Sequence, residues 1–379
     1  MEMVSIARKN LFREKGRFSA TAIAIAASIM LILFGVGMAV GIWNSMVTVV
    51  DHSNANIWVL NSQNVDLAEG QSVLQENVIT QIQGINGVKT VTPLVYSPSI
   101  AEKAGAKQTV EIVGVDPSSG LVLPWSLISG SVSALNRNNS VIIDQSAQMG
   151  LGKLSVGDKI TINNSTEEVV GICTDAKTFL YPYVFTSNQN AQTLCNLNQH
   201  EINYVLVSTL QPQDAPQIAK EIAQINGVNA LSKSQLRANT VNYMLYESGI
   251  GAMVLVFAGV GFFVAVTIVS LTTYTATMER IPEYGTLKAI GATKRDIYKT
   301  LVEQAFWPAT AGFAAGLGLS LAATLVITSV TIMPIEITVQ LVVVAYALTV
   351  ALSVLGSFLS VRKINKIDPA IVFRAYGDA

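Results

Sequence analysis

Long apolar blocks and one polar block alternate along the chain. Four stretches, 18–50, 248–278, 304–335 and 337–361, contain no Asp, Glu, Lys or Arg and run for 33, 31, 32 and 25 residues. A bilayer core of about 30 Å takes roughly 20 helical residues, so each stretch can cross it with room for tilt. None carries a charged side chain, which argues against an ion-coupled carrier with a relay at the midplane. The pattern predicts an α-helical membrane protein with four transmembrane helices. The first apolar run, Phe18–Trp43, exceeds the roughly 7–15 residues of a signal-peptide core and reads as a retained anchor.

Between 51 and 247 the pattern shortens to β-rich runs separated by turn residues, among them Asn56–Leu60, Val110–Val115, Val141–Ile143, Lys159–Ile162, Val169–Ile172 and Tyr204–Val207. This predicts a large extracytoplasmic mixed α/β domain. Ile82-Gln-Gly-Ile85-Asn86-Gly87-Val88 recurs as Ile222-Ala-Gln-Ile225-Asn226-Gly227-Val228, displaced by 140 residues. Each copy closes an apolar-periodic helix and opens a strand, so the glycine is expected as a left-handed helix cap. Two such units bracketing a β-rich insert predict a bipartite domain, with one lobe from 51–104 and 201–247 and a β-rich lobe over 105–200.

Composition adds little until it is divided by segment. Half of the chain is apolar, 13% is charged, mean hydropathy is +0.45 and the net charge is −1. Segments 1–17, 279–303 and 362–379 together carry 14 basic and 8 acidic residues, whereas 51–247 carries 10 basic and 16 acidic. By the positive-inside rule both termini and the 279–303 loop are cytoplasmic and 51–247 lies outside. Residues 1–17 read as an amphipathic cytoplasmic helix. The charge suggests no nucleic-acid partner. Glycines in the spans, such as Gly35, Gly37, Gly259, Gly261, Gly312, Gly316 and Gly318, offer small-residue faces for close helix approach and weak support for a dimer.

Enzyme chemistry finds no foothold. No G-x-x-x-x-G-K-[ST], G-x-S-x-G or H-E-x-x-H text occurs, so no catalytic, cofactor-binding or metal residue is assigned and the chain is read as a non-enzyme. Cys173 and Cys195 lie in the outer domain, where an oxidising exterior permits a disulfide that sequence alone leaves open. His52 and His200 are isolated and read as structural or solvated.

The most specific text is Glu279-Arg-Ile-Pro-Glu-Tyr-Gly-Thr-Leu-Lys-Ala-Ile-Gly-Ala-Thr-Lys-Arg-Asp-Ile297. Pro282 suits a first helical turn, Gly291 a helix end, and Thr293 with Asp296 a capping pair for a second helix entering the third span. A connection needs only a few residues, so this capped and broken segment reads as a docking element.

With this loop, the basic start Val4–Arg13, the order of one span, outer domain and three spans, and the close Ile367-Asp-Pro-Ala-Ile-Val-Phe-Arg374, the chain resembles the MacB/FtsX-like permeases of ABC transporters, the LolC/LolE and DevC types included. The loop is similar to the family's R-x-x-E-I-G-x-x-[KR]-A-[IV]-G-A pattern, with Tyr284 in place of isoleucine and Pro282 a second departure. The resemblance implies a bipartite, MacB-like periplasmic core and a coupling loop in which Glu279, Arg280, Glu283, Gly285, Lys288, Gly291 and Lys294 contact the ATPase. It implies two copies of a separately encoded ABC ATPase that bind the ATP and Mg, and a homodimer or a heterodimer with a related permease. Membrane lipid and a membrane-fusion adaptor are further implied partners. The implied mechanism is mechanotransmission, in which ATP hydrolysis moves the outer domain to export or extract a substrate. The alternative is an FtsX-like regulator that passes ATPase state to an outer partner without transport.

Overall fold

A computed structural model describes residues 15–68, 72–198, 200–279 and 293–364. The chain runs α1 (Lys15–Met46), α2 (Thr48–Asp51), β1 (Ile57–Asn61), β2 (Leu74–Gln75), α3 (Asn77–Gln83), β3 (Val88–Lys103), β4 (Ala106–Val115), β5 (Leu127–Gly130), β6 (Ser140–Asp144), α4 (Gln148–Leu151), β7 (Lys159–Ile162), β8 (Ser165–Cys173) and β9 (Tyr183–Ser187). It continues through α5 (Asn188–Leu194), β10 (Glu201–Ile202), β11 (Tyr204–Thr209), α6 (Ala215–Ile222), β12 (Val228–Ser232), α7 (Lys233–Tyr246), α8 (Ile250–Glu279), α9 (Lys294–Val330) and α10 (Val339–Ile364). The contacts of the described residues define two units, one within 1–39, 253–327 and 335–379 and an outer one within 40–252 with 328–334.

In the outer unit the strand order is β12-β1-β11-β3-β4-β9-β6-β8-β5, with β7 against β3 and β8. The long β3 joins the two halves of this sheet. Its first part pairs with β11, from Val88 to Leu94, and its second with β4, from Val95 to Lys103. Period-two alternation then sorts the side chains by face. Ile57 and Val59 of β1 meet α3 and α6 through Val78, Ile82, Ile218 and Ile222, while Trp58 and Leu60 point into a second core with Leu206 and Leu236. Helix α6 fits because Ala215, Ile218, Ala219 and Ile222 make one apolar stripe at helical spacing. A third core, with Ile112, Val141, Ile143 and Val184, is covered by Ala191 and Leu194 of α5 and Leu151 of α4.

The sequence repeat maps onto two α–turn–β units, α3–β3 and α6–β12, placed on either side of the β1–β11 pair. Even their turn bonds correspond: Ile85 N to Ile82 O and Val88 N to Ile85 O in one, Ile225 N to Ile222 O and Val228 N to Ile225 O in the other. Gly87 and Gly227 have φ of +89° and +79°. They are left-handed as expected, yet they are not the helix caps. The helices end at Gln83 and Ile222, Gly84 and Ala223 take the cap positions in right-handed conformation, and a further turn intervenes before each glycine launches its strand.

Among the described residues three helices are long and apolar enough to cross a membrane, Phe18–Met46, Ile250–Ile268 and Ala305–Val330, and Val339–Leu355 is a shorter apolar helix. In the membrane unit Ile25, Ile29 and Leu33 of α1 pack with Ala309 and Phe313 of α9 and Ala345 of α10.

Candidate functional site

Of the predicted coupling residues, Glu279 is the last residue of α8 and Lys294 the first of α9. Arg280, Glu283, Gly285, Lys288 and Gly291 lie outside the described residues, as do residues 1–14 and 365–379. Helix α9 starts directly after Thr293, the position at which the capping text placed a helix start.

The span glycines serve packing within the chain. A Cβ on Gly312 would stand 2.7 Å from Ala22 O and from Ile25 Cβ, and one on Gly316 would stand 2.7 Å from Ala26 O. These two positions, four residues apart on α9, let its backbone approach that of α1 closely, the use small-x-x-x-small faces have in membranes. Gly261 of α8 is set in the same way against Ile32 of α1, whose Cγ1 would lie 2.8 Å from a Cβ there. Gly35 faces Phe257, and Gly37 O accepts from Glu336 N at 2.9 Å. By contrast a Cβ on Gly259 or Gly318 would meet nothing within 4 Å. Of the glycines singled out as weak support for a dimer, Gly261, Gly312 and Gly316 thus face α1, Gly35 and Gly37 of α1 face other segments of the chain, and Gly259 and Gly318 stay open.

In the outer unit an acid sits where the alternation of β4 calls for an apolar residue. Glu111 is on the face of Val113 and Val115, opposite Tyr183 of β9 and Pro98 of β3, and is only 6% exposed. Burial pushes its carboxyl up to about 8. Around it stand Tyr96, Tyr183 and Tyr204, the first two with hydroxyls 3.2 Å apart, and burial raises all three. Asp144 shows how a buried carboxylate is usually satisfied: Oδ1 accepts from Ser146 N and Oγ, and Oδ2 from Ala176 N at 2.8 Å. Cys173 and Cys195 are both free thiols. Burial raises both, Cys195 to about 12. Among the described residues no group of His, Cys, Asp and Glu is arranged to hold a metal.

Sequence reasoning passed over Glu111 and over Lys233 and Arg237. The signal for Glu111 was a lone acid inside the apolar run Val110–Val115. For the other two it was Ser232-Lys-Ser-Gln235, a capping box in which Ser232 Oγ accepts from Gln235 N and Gln235 Oε1 from Ser232 N. That box starts α7 and sets Lys233 and Arg237 one turn apart on it. Both reach toward α2, where Arg237 Nε donates to Asp51 Oδ1 at 3.1 Å and Lys233 Nζ to Ser53 O at 2.6 Å. His52, read as structural or solvated, stacks on Trp125 with centroids 4.1 Å apart.

The chain thus carries a large α/β unit together with long apolar helices. The MacB-like periplasmic core domain model matches residues 18–225 and the FtsX-like permease C-terminal model matches 255–369. The chain belongs to the MacB/FtsX-type permeases of ABC transporters, a membrane-embedded family that works with an ATPase partner. Residues 18–225 accordingly include a large MacB-like periplasmic domain of α/β fold.

Among relatives, an uncharacterised ABC transporter permease of Mycobacterium tuberculosis is 24% identical over 376 residues, 98% of this chain and 99% of that one. A protein of Staphylococcus haemolyticus, assigned provisionally as the hemin transport system permease HrtB, is 24% identical over 251 residues. That match spans 64% of this chain and 65% of the relative. The extracellular domain of the noncanonic ABC-type transporter YknZ from Gram-positive bacteria is similar over 47% of this chain and 100% of its own, at 15% identity and a TM-score of 0.36. The periplasmic region of MacB from Actinobacillus actinomycetemcomitans is similar over 49% and 92%, at 12% identity and a TM-score of 0.38.

Proposed function

We propose that this chain is the non-catalytic transmembrane subunit of an ABC export complex. Two copies of an ABC ATPase dock on the 279–303 loops of a permease dimer, and ATP hydrolysis there moves the outer domain by mechanotransmission. ATP and Mg belong to the ATPase. In this reading the chain crosses the membrane four times with both termini in the cytoplasm, and 51–247 acts on a substrate taken from the outer side. The observation that carries it is the pair of family matches on either side of residues 226–254, which supports one permease chain running through the outer domain and the FtsX-like helices. The loop text between α8 and α9 supports the docking assignment.

The experiment is a pull-down of the ATPase by a chain lacking residues 281–292. Association is expected to vanish, and charge reversal at Glu283 or Lys288 to weaken it more mildly. Full association of the deleted chain would sink the docking assignment. A regulatory role without transport is the second reading, favoured by the FtsX-like match over 255–369. Co-purification of the complex followed by mass spectrometry separates the two: a bound lipid, peptide or hemin supports export, and a bound cell-wall hydrolase supports regulation.

A further inference from the structure

The outer unit includes the outer end of α1, from Val40, and the junction of α7 with α8, as far as Ala252. These two connections are built differently. Helix α1 runs unbroken to Met46, and α2 follows after Val47 alone. Val47, Val49 and Val50 are fully buried, and the last two belong to the core that holds Trp58, Leu206 and Leu236. Asn54 donates its backbone N–H to Leu121 O at 2.7 Å and its side-chain amide to Gly120 O at 3.0 Å. From α7, Lys233 Nζ donates to Asp51 O at 3.0 Å and Ser53 O at 2.6 Å. Arg237 Nε donates to both carboxylate oxygens of Asp51, at 3.1 and 3.3 Å, and its Nη2 donates to Asn44 Oδ1 at 3.4 Å. Two cations on one helix face therefore hold the last turns of the α1–α2 segment.

At the other connection α7 ends at Tyr246, which is 80% exposed. Glu247 N and Ser248 N both donate to Tyr243 O, and Ile250 N donates to Ser248 Oγ at 3.2 Å, so the bonds there are local. Gly249 has φ of +80° with open space where a Cβ would stand, and the bend lays Gly251 on the Leu245 carbonyl. A left-handed residue without packing is the ordinary construction of a bend that can move.

We propose that the outer end of α1, from Val40, is a rigid strut within the outer unit, secured by Lys233 and Arg237 as positioning residues, and that residues 247–251 are a hinge leading into α8. What moves the hinge rests on the export reading above; the strut and hinge themselves do not. The test is amide hydrogen exchange on the full chain in lipid nanodiscs, alone and with the ATPase trapped by ATP and vanadate. In the chain alone, amides 51–53 are expected to exchange at least about tenfold more slowly than 247–250. Equal rates would overturn the assignment.

Arg237 and Asp51 are 43% and 37% exposed, so Arg237→Asp and Asp51→Arg leave the fold standing. Each is expected to speed exchange at 51–53 by roughly fivefold, the scale of a partly exposed pair. The double charge swap is expected to restore the slow rate, a rescue that simple loss of packing would not give. Failure of either the acceleration or the rescue would overturn the clamp. Trapping is expected to alter exchange at 247–251 and to leave 51–53 unchanged, and the reverse pattern would overturn the strut. An ATPase that does not bind the wild-type chain sinks the export reading, while the first two arms still decide strut and hinge.

Discussion

Replacing Glu111 with glutamine tests the energetics of the outer unit most directly. The carboxyl is buried on a sheet face among tyrosines, and its value rises from 4.5 to about 8 through desolvation. A gap of that size is worth about 5 kcal/mol at about 1.36 kcal/mol per pH unit. The direction follows from proton binding. Between 4.5 and 8 the unfolded chain has released the proton and the folded one retains it, so folding takes up a proton and becomes less favourable as pH rises. This contribution is intact below 4.5, is reduced by about 3 kcal/mol at neutral pH, and is fully lost above 8. The tyrosines are raised further and do not titrate in the window. Glu111→Gln keeps the shape and removes the titration. Urea denaturation of segment 45–247, followed by the fluorescence of Trp58 and Trp125, should find variant and wild type nearly equal near pH 4.5. The variant should gain about 3 kcal/mol near pH 7 and more near pH 8.5. Other groups cancel in the difference between the two proteins. A difference that stays flat across the range would show that the carboxyl is not held protonated, and the burial argument would fail.

Two further outcomes follow from packing. Gly316→Leu forces α9 away from Ala26 of α1 and is expected to destabilise the membrane unit by about 1–3 kcal/mol, read as earlier thermal unfolding in detergent, while Gly318→Leu, with open space around it, stays near wild type. Cys173 and Cys195 are expected to resist alkylation in the native chain near neutral pH, because burial keeps both thiols protonated, and to react as two free thiols after unfolding; the mass of a bridged species would refute this.

How much of this was legible in the sequence depends on how local the signal was. The charge-free stretches identified α1, α8 and α9 because a membrane helix needs only length and apolarity, and the quoted β-rich runs fall within β1, β4, β6, β7, β8 and β11, apart from Asn56 at one edge. The repeat was readable for the same reason: an apolar helix stripe, an Asn-Gly turn and a strand start are contiguous text. Strand order was not. The hairpin of β3 with β4 is local, but nothing in Val88–Lys103 says that the first half of the strand serves β11, which lies more than 100 residues further along the chain. The candidate residues divide in the same way. Glu279 and Lys294 were found as loop text and sit at helix ends, whereas Arg237 finds Asp51 across 186 residues. Glu111 could have been noticed as an acid out of place, but its meaning depends on Tyr183 standing opposite it on β9.

The contacts of α1 also explain how a chain with no relay charge in its spans could still transmit work. On the proposed coupling, a push enters at 279–303, the connection between α8 and α9. Both helices meet α1 closely at glycines: Gly312 and Gly316 of α9 against the backbone of Ala22 and Ala26, and Gly261 of α8 against the Ile32 side chain. Close contact of this kind transmits displacement because dense packing does not absorb it. Helix α1 then continues unbroken to Met46, where the outer core and the two cations of α7 take it up. Helix α8 leaves the outer unit through a glycine bend, so it can be displaced without carrying the outer unit along its own axis.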